Sequence, residues 1–269
     1  MPDDLRAALA VARAAAASAG QAALALQNGV GSVSKADGSP VSDGDLAADR
    51  IIREQLLGAF PGDGILSEEL TDTADRLARR RVWIIDPIDG TRSYVDGGGE
   101  WCVQVALAID GVAVVGVLDL PARGIQVWAV AGLGGGISDA AGERPLRPIA
   151  GVRDVLAGSS SERSRTQVAR VLAALPEFTH LPAHSVGVKA AQILLGEADL
   201  FVHPRSIAEW DGAAPAAVLS HAGAIATDLA GAPLRFNTPQ GKVPGLVFSR
   251  RDDHAGLCAR LAKAGLSLP

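Results

Sequence analysis

Aromatic side chains make up only 4% of the sequence, and there are just two cysteines, Cys102 and Cys258. The cysteines lie too far apart in sequence to suggest a disulfide framework, so a reducing cytoplasm is the expected compartment. With few rings available, the core must be aliphatic and closely packed, which suits a chain rich in alanine with 31 glycines. There is no basic cluster, and the formal net charge is -5. That argues against a nucleic-acid polymer as partner but not against a small nucleotide whose phosphates metals could bind. No uninterrupted apolar run approaches the roughly 20 residues of a membrane span. The opening Met1-Pro2-Asp3-Asp4 is acidic where a signal peptide would be basic. Several chemistries are also missing. Pro182 breaks the helix that would place His180 and His184 on one face for zinc. Gly29-Val30-Gly31 follows a helix rather than a strand, so it is no dinucleotide fingerprint, and the glycine run at 132–136 lacks the Gly-Lys-Ser/Thr of a phosphate loop. No Ser–His–Asp or Cys–His constellation can be assembled from spacing.

What remains is a chain of 269 residues, 48% hydrophobic, enough for one sizeable core or two packed subdomains. The pattern predicts an alanine-rich helix over 3–27, stopped by Asn28-Gly29, then a turn at 35–40 with Lys35 as a loop charge. A second helix follows over 45–59, and a short strand over 65–67 runs into Glu68-Glu69. Residues 71–81 read as a mobile polar excursion. Strands over 101–109, 112–118 and 125–130, joined by turn signals such as Asp110-Gly111, imply an antiparallel meander. A glycine-rich tip at 132–136 and a connector at 144–148 lead to a subdomain boundary near Ile149. Beyond it, strands at 155–159, 198–202, 225–228 and 246–249 alternate with helices at 164–175, 188–195, 213–222 and 253–264. The expected class is α+β, with an antiparallel sheet in an N-terminal subdomain, 1–149, and an α/β layer in a C-terminal one, 150–269.

The stretch Val82-Trp83-Ile84-Ile85-Asp86-Pro87-Ile88-Asp89-Gly90-Thr91 organises the rest. Val82 to Ile85 read as a strand buried on both faces. Two carboxylates then flank a proline that turns the chain at once. Gly90 permits close approach of a ligand to the backbone, and Thr91 is a good helix N-cap, where N–H groups attract anions. Asp45, Glu68, Asp86, Asp89 and Asp211 each sit where a regular element meets a turn. Asp45 also suits a helix cap, and taken alone each acid could be an exposed turn residue. All-oxygen ligands select Mg²⁺, Ca²⁺ or Mn²⁺. Paired ions of that kind clamp attacking water and leaving oxygen in metal-assisted hydrolysis of a phosphate ester.

Glu68-Glu69, then Asp86-Pro87-Ile88-Asp89-Gly90-Thr91, then Trp210-Asp211 followed by small residues, together resemble the inositol monophosphatase superfamily of Mg²⁺-dependent, lithium-sensitive phosphatases. The resemblance runs in order over nearly the whole chain, including Pro40-Val41-Ser42 ahead of Asp45, where Ser42 replaces the usual Thr. It implies an α-β-α-β-α layered sandwich. It also implies a first metal on Glu68, Asp86 and the Ile88 carbonyl, a second on Asp86, Asp89 and Asp211, and a weaker third near Glu68. Mg²⁺ is the expected cofactor, two or three ions, with Mn²⁺ possible. Thr91 and Asp45 are implied to orient and deprotonate the attacking water, and the Gly90 and Thr91 N–H groups to hold phosphate. The Ser185-Val186-Gly187-Val188-Lys189 segment and Pro204-Arg205 ahead of Trp-Asp are similar to the 3'(2'),5'-bisphosphate nucleotidase (CysQ-like) branch. Ser185, Gly187, Lys189 and Arg205 would then meet the substrate, adenosine 3',5'-bisphosphate, a by-product of sulfate assimilation. No acid stands at 203–205, where the inositol branch carries one for sugar hydroxyls. The glycines at 97–99 depart from the family pattern. The alternatives are an inositol or broad sugar monophosphatase, or a non-catalytic binder of metal or phosphate. A homodimer is compatible with the sequence.

Overall fold

The computed structural model describes residues 2–27, 32–34, 40–159 and 161–266. The Asn28-Gly29 stop, the Gly29-Val30-Gly31 pair and Lys35 lie outside them. The first half runs α1 (Pro2–Leu26), β1 (Ser32–Ser34), β2 (Pro40–Ser42), α2 (Asp43–Ala59), β3 (Gly64–Ser67), β4 (Arg81–Asp89), α3 (Thr91–Val95), β5 (Cys102–Ile109), β6 (Val112–Leu120), β7 (Ile125–Val130), β8 (Gly134–Asp139) and β9 (Gly142–Pro145). The second runs β10 (Val155–Gly158), α4 (Glu162–Ala174), β11 (Thr179–Pro182), α5 (Val186–Leu194), β12 (Leu200–His203), β13 (Ile207–Ala208), α6 (Glu209–His221), β14 (Ile225–Thr227), β15 (Lys242–Val243), β16 (Leu246–Ser249) and α7 (His254–Lys263).

Strands β3 to β9 form a seven-stranded sheet in chain order, antiparallel except for the parallel pair β3–β4. A five-stranded sheet has the order β11-β10-β12-β16-β14, parallel among β10, β11 and β12. Three apolar clusters make this a sandwich of five layers. Alanines of α1 with Ile52 and Leu56 of α2 cover one face of the large sheet, against Trp83, Ile85, Val103, Val105 and Leu107. The opposite face, through Ala106, Ala108 and Leu118, packs on α5 and α6, which in turn cover Phe201 and Phe248 of the small sheet. Leu156, Leu200 and Val247 then meet Val171, Leu175, Leu257 and Leu261 of α4 and α7. The period-2 alternation of β5 decides which residues face which layer. Val103, Val105 and Leu107 go to α1 and α2, while Cys102, Gln104 and Ala106 share the face toward α5 and α6.

Several expectations are corrected. The central strand continues from Arg81 through Asp89 rather than stopping at Ile85, and the register with β5 shifts between Asp86 and Asp89. Pro87 sits inside that irregularity, where a missing ladder N–H costs nothing. The N-cap of α3 is Gly90, at φ 96, and Thr91 is the first helical residue; a left-handed cap favours glycine. Residues 71–81 are anchored: Ala74–Ala78 form a 3₁₀ turn, and buried Arg76 binds Asp72, Asn237 and the Thr238 carbonyl. Gly134 to Gly136 and Arg144-Pro145 belong to β8 and β9, because pairing along the sheet edge outweighs the turn propensity of glycine. His180 lies in a strand, β11. Helix α6 begins at Glu209, not at Ala213, because the Glu209 carboxylate takes the Asn237 and Thr238 N–H groups and the Thr238 hydroxyl.

Among the described residues one helix, Asp4–Leu26, could cross a membrane by length and composition, with mean hydropathy 1.4; counting bulky runs overlooks it because alanine supplies the hydropathy. In the fold it is a layer of the sandwich. Ala8, Ala12, Ala15, Ala16, Ala19 and Ala23 are fully buried, and Arg13 binds Gln126 and Glu143 and stacks on Trp128.

Beneath α1, Asp119 of β6 is buried, with the Gln126 amide donating to it, and burial raises its carboxyl pKa to about 6. The folded chain thus keeps a proton there that the unfolded chain loses near pH 4, so this group's contribution to stability falls as pH rises from about 4 to about 6. Asp119→Asn should raise stability at pH 7.5 by up to about 3 kcal/mol and give no gain at pH 4. Thermal melts at the two pH values check this; an equal shift at both would contradict it.

Candidate active site

The acids converge at one end of the large sheet. Asp86 and Asp89 flank the irregularity of β4, Glu68 follows β3 on the parallel neighbour, and Asp211 lies in the first turn of α6. One carboxylate oxygen from each of Asp86, Asp89 and Asp211 lies within 4.8 Å of the others, the only such cluster among the described residues. A cavity of about 280 Å³ opens over them, lined by Glu68, Asp86, Ile88, Asp89, Gly90, Thr91, Ala208, Trp210 and Asp211.

Asp86 is buried, and its Oδ1 has no hydrogen-bond partner. A buried carboxylate oxygen without a donor is costly. Burial, then Glu68, Asp89, Asp211 and Asp45, hold its pKa well above the usual carboxylate range. Asp211 is raised in the same way, by burial and then by Asp89 and Glu68, with Lys189 opposing. Acids in this state are what a divalent cation neutralises, and the oxygens of Asp86, Asp89 and Asp211 suit Mg²⁺. The residues therefore fit a metal.

Asp89 is held differently. Its Oδ2 accepts from Gln104 Nε2 at 2.6 Å, Ser185 Oγ at 2.6 Å and the Gly187 N–H at 2.7 Å, and the Cys102 thiol lies 4.0 Å away. Ser185 caps α5, its oxygen accepting from the Val188 N–H. The Gly187 N–H of the helix start thus faces the carboxylate. The donors of Ser185 and Gly187, expected toward substrate, face Asp89.

Asp45 is fully buried and does two things. Its Oδ2 takes the Ser42 N–H and hydroxyl in a capping box, and its Oδ1 lies 3.2 Å from Thr91 Oγ1. Thr91 Oγ1 is also 3.0 Å from the Ile88 carbonyl. One hydroxyl proton serves only one acceptor at a time, so Thr91 links the two.

Lys189 is buried, not a surface charge. Its ammonium donates to the His184 carbonyl at 3.1 Å and sits 5.2 Å from the centre of the Phe201 ring. Burial lowers its pKa to about 8, against the pull of Asp89 and Asp211. It also lines a second cavity, of about 140 Å³, with Ser159, Ser164, Gln167, His184 and His203. Burial, then Arg205 and Lys189, push the His203 pKa down to about 4, so its ring is neutral. Arg205 is exposed, lies against the Gln167 amide, and lines neither cavity.

Two contributors were not foreseen. Gln104, a lone amide in the apolar run of β5, is a legible signal in retrospect. Asp49 of α2 is the other: its carboxylate takes the Ser67 hydroxyl at 2.6 Å and the Arg53 guanidinium at 2.6 Å, tying down the strand end just before Glu68.

The acid cluster at one end of the large sheet and the chain's family together support a metal-dependent phosphomonoesterase. The chain belongs to the Inositol monophosphatase family, whose model matches residues 4–265. It is 35% identical over 220 residues to the 3'-phosphoadenosine 5'-phosphate phosphatase of Mycobacterium leprae, covering 78% of this chain and 77% of that one. It is also 32% identical over 204 residues to a histidinol-phosphatase of Mycobacterium tuberculosis, covering 73% and 77%. Among solved structures, an inositol monophosphatase from Thermotoga maritima shares the fold with a TM-score of 0.80 at 24% identity, over 98% of each chain.

Proposed function

We propose that the protein hydrolyses the 3'-phosphate of adenosine 3',5'-bisphosphate, with Mg²⁺ held by Glu68, Asp86, the Ile88 carbonyl, Asp89 and Asp211. The observation that carries the metal part is the buried, unpaired Asp86 Oδ1 amid the acid cluster. When bound, the divalent ions, two or three of them, supply Lewis acidity toward phosphoryl oxygens and make water nucleophilic near neutral pH. The protein groups do the rest. Thr91 donates to Asp45 and so offers its oxygen to the proton of an attacking water, with Asp45 the final acceptor. Attack is direct and in line, without a phosphoenzyme. Sulfate assimilation as the setting and inhibition by lithium go with this reading.

The nucleotide part is supported by Lys189, which lines the second cavity and feels the charges of Asp89 and Asp211, so that a second phosphate there would find a cation, and by the named activity of the Mycobacterium leprae relative. Phosphate release should be faster from adenosine 3',5'-bisphosphate than from inositol 1-phosphate. Lys189→Ala should then reduce bisphosphate use by about 2 kcal/mol, roughly thirtyfold in kcat/KM, more than monophosphate use. Faster turnover of inositol 1-phosphate by the unmodified protein would favour the sugar monophosphatase reading. Equal losses on both substrates would mean that Lys189 acts on Asp89 and Asp211 alone.

A further inference from the structure

We propose that the groove between α1 and strands β6 to β8 is a second ligand site, in which Asp119 binds the ammonium group of a small amine with an aliphatic body. None of the residues lining it lines the cavity over the acid cluster, so the site stands apart from the metal reading.

The groove holds about 640 Å³. Its walls are largely apolar, with Ala14, Ala17 and Leu24 of α1 on one side and Pro121 and Ile125 on the other. Asp119 lines it too and is only 9% exposed. Its Oδ1 accepts from Gln126 Nε2 at 3.1 Å, and no donor among the described residues reaches Oδ2. Gly20 makes room for that oxygen, since a Cβ there would collide with Asp119 Oδ2 and with Pro121. The carboxylate is thus admitted beneath α1 with one of its two oxygens unused by the protein, an arrangement that calls for a partner.

Charge decides what that partner is. Three charged side chains line the groove: Arg13, Asp119 and Asp139. Arg13 pairs with Glu143 and Asp139 with Arg144. Asp119 has only the Gln126 amide and no ion pair among the described residues. Burial raises its pKa to about 6, which still leaves it ionised at pH 7.5. The groove therefore carries one uncompensated negative charge, and a buried charge is stabilised by an opposite one. A bare divalent ion is a poor fit, because it needs about six oxygens and the Asp139 carboxylate is already engaged by Arg144. An ammonium brings a single charge and up to three donors, and its carbon body can cover the alanine face of α1.

The test is saturation-transfer nuclear magnetic resonance on the full chain at pH 7.5, with cyclohexylamine as probe and cyclohexanol as its uncharged counterpart. The unmodified protein should bind the amine with a Kd on the order of 1 mM, about tenfold tighter than the alcohol. Asp119→Asn, which relieves a buried charge and so keeps the fold, should bring the amine down to the level of the alcohol. Ala17→Leu, a good helix former at a half-buried position, keeps Asp119 but fills the groove and should weaken the amine about fivefold. No binding of the amine, equal binding of the alcohol, or unchanged affinity in either variant would overturn the proposal.

Discussion

Asp86→Asn should abolish phosphatase activity while raising the melting temperature of the metal-free protein. The two effects have one cause. Asp86 is buried, one of its oxygens is unpaired, and four neighbouring acids oppose its charge. Without a cation, folding must desolvate that charge and hold it beside others of the same sign. An asparagine carries no charge and can donate to its neighbours, so each kcal/mol relieved should lift melting by about 2–4 °C in a chain of this size. The same substitution removes a proposed ligand of a metal that would contribute several kcal/mol to the transition state, so kcat should fall on the order of 10³-fold. Saturating Mg²⁺ should narrow the stability gap, because binding stabilises the unmodified protein and not the variant. Melts with chelator and with Mg²⁺, alongside phosphate release, check all three points. A variant that is active, or that melts lower without metal, would contradict them.

Gly187→Ala should also be damaging, for a steric reason. A Cβ at position 187 would stand 2.3 Å from the Cys102 sulfur and 3.3 Å from Gln104 Cδ, both on β5. The buried Cys102 side chain must turn away or α5 must back off β5, and in the second case the Gly187 N–H leaves Asp89. Losing a group that orients a metal ligand typically costs about 10–100-fold in activity, and the strain should lower melting as well. Changing Cys102 to Ala as well removes the clashing sulfur, so the double variant should regain most of both losses. Cys102→Ala alone should be mild, because the thiol makes only long contacts, 4.0 Å to Asp89 and 3.5 Å to Ser185. A double variant no better than Gly187→Ala would place the damage elsewhere.

These residues also show what a sequence does and does not reveal here. The acids were legible because their signal is local: an apolar strand ending in Asp-Pro-Ile-Asp-Gly-Thr, or a pair of glutamates after a short strand, announces a functional turn from a few positions. The alternation of helical and strand periods gives an α/β layer beside an α+β half, and the five-layer order comes from the family resemblance. The partners of the acids were not. Ser185 and Gly187 are directed to substrate only by the family resemblance, and nothing local tells a substrate phosphate from the Asp89 carboxylate packed against them. Lys189 looks like any charged residue until α5 is buried between the sheets. The beginning of α6 was misplaced because its anchor, the Glu209 carboxylate, bonds to residues 237 and 238, far along the chain. Threonine is the commoner cap and so points to Thr91, whereas the left-handed turn at Gly90 follows the irregularity in β4.

The most direct measurement is the anomalous diffraction signal of crystals of the unmodified protein grown with Mn²⁺. At least one ion should lie among Asp86, Asp89 and Asp211, with Asp86 Oδ1 as a ligand and Asp89 contributing Oδ1 alone. An acid cluster without an ion, or Mn²⁺ bound only at another place on the chain, would contradict the account.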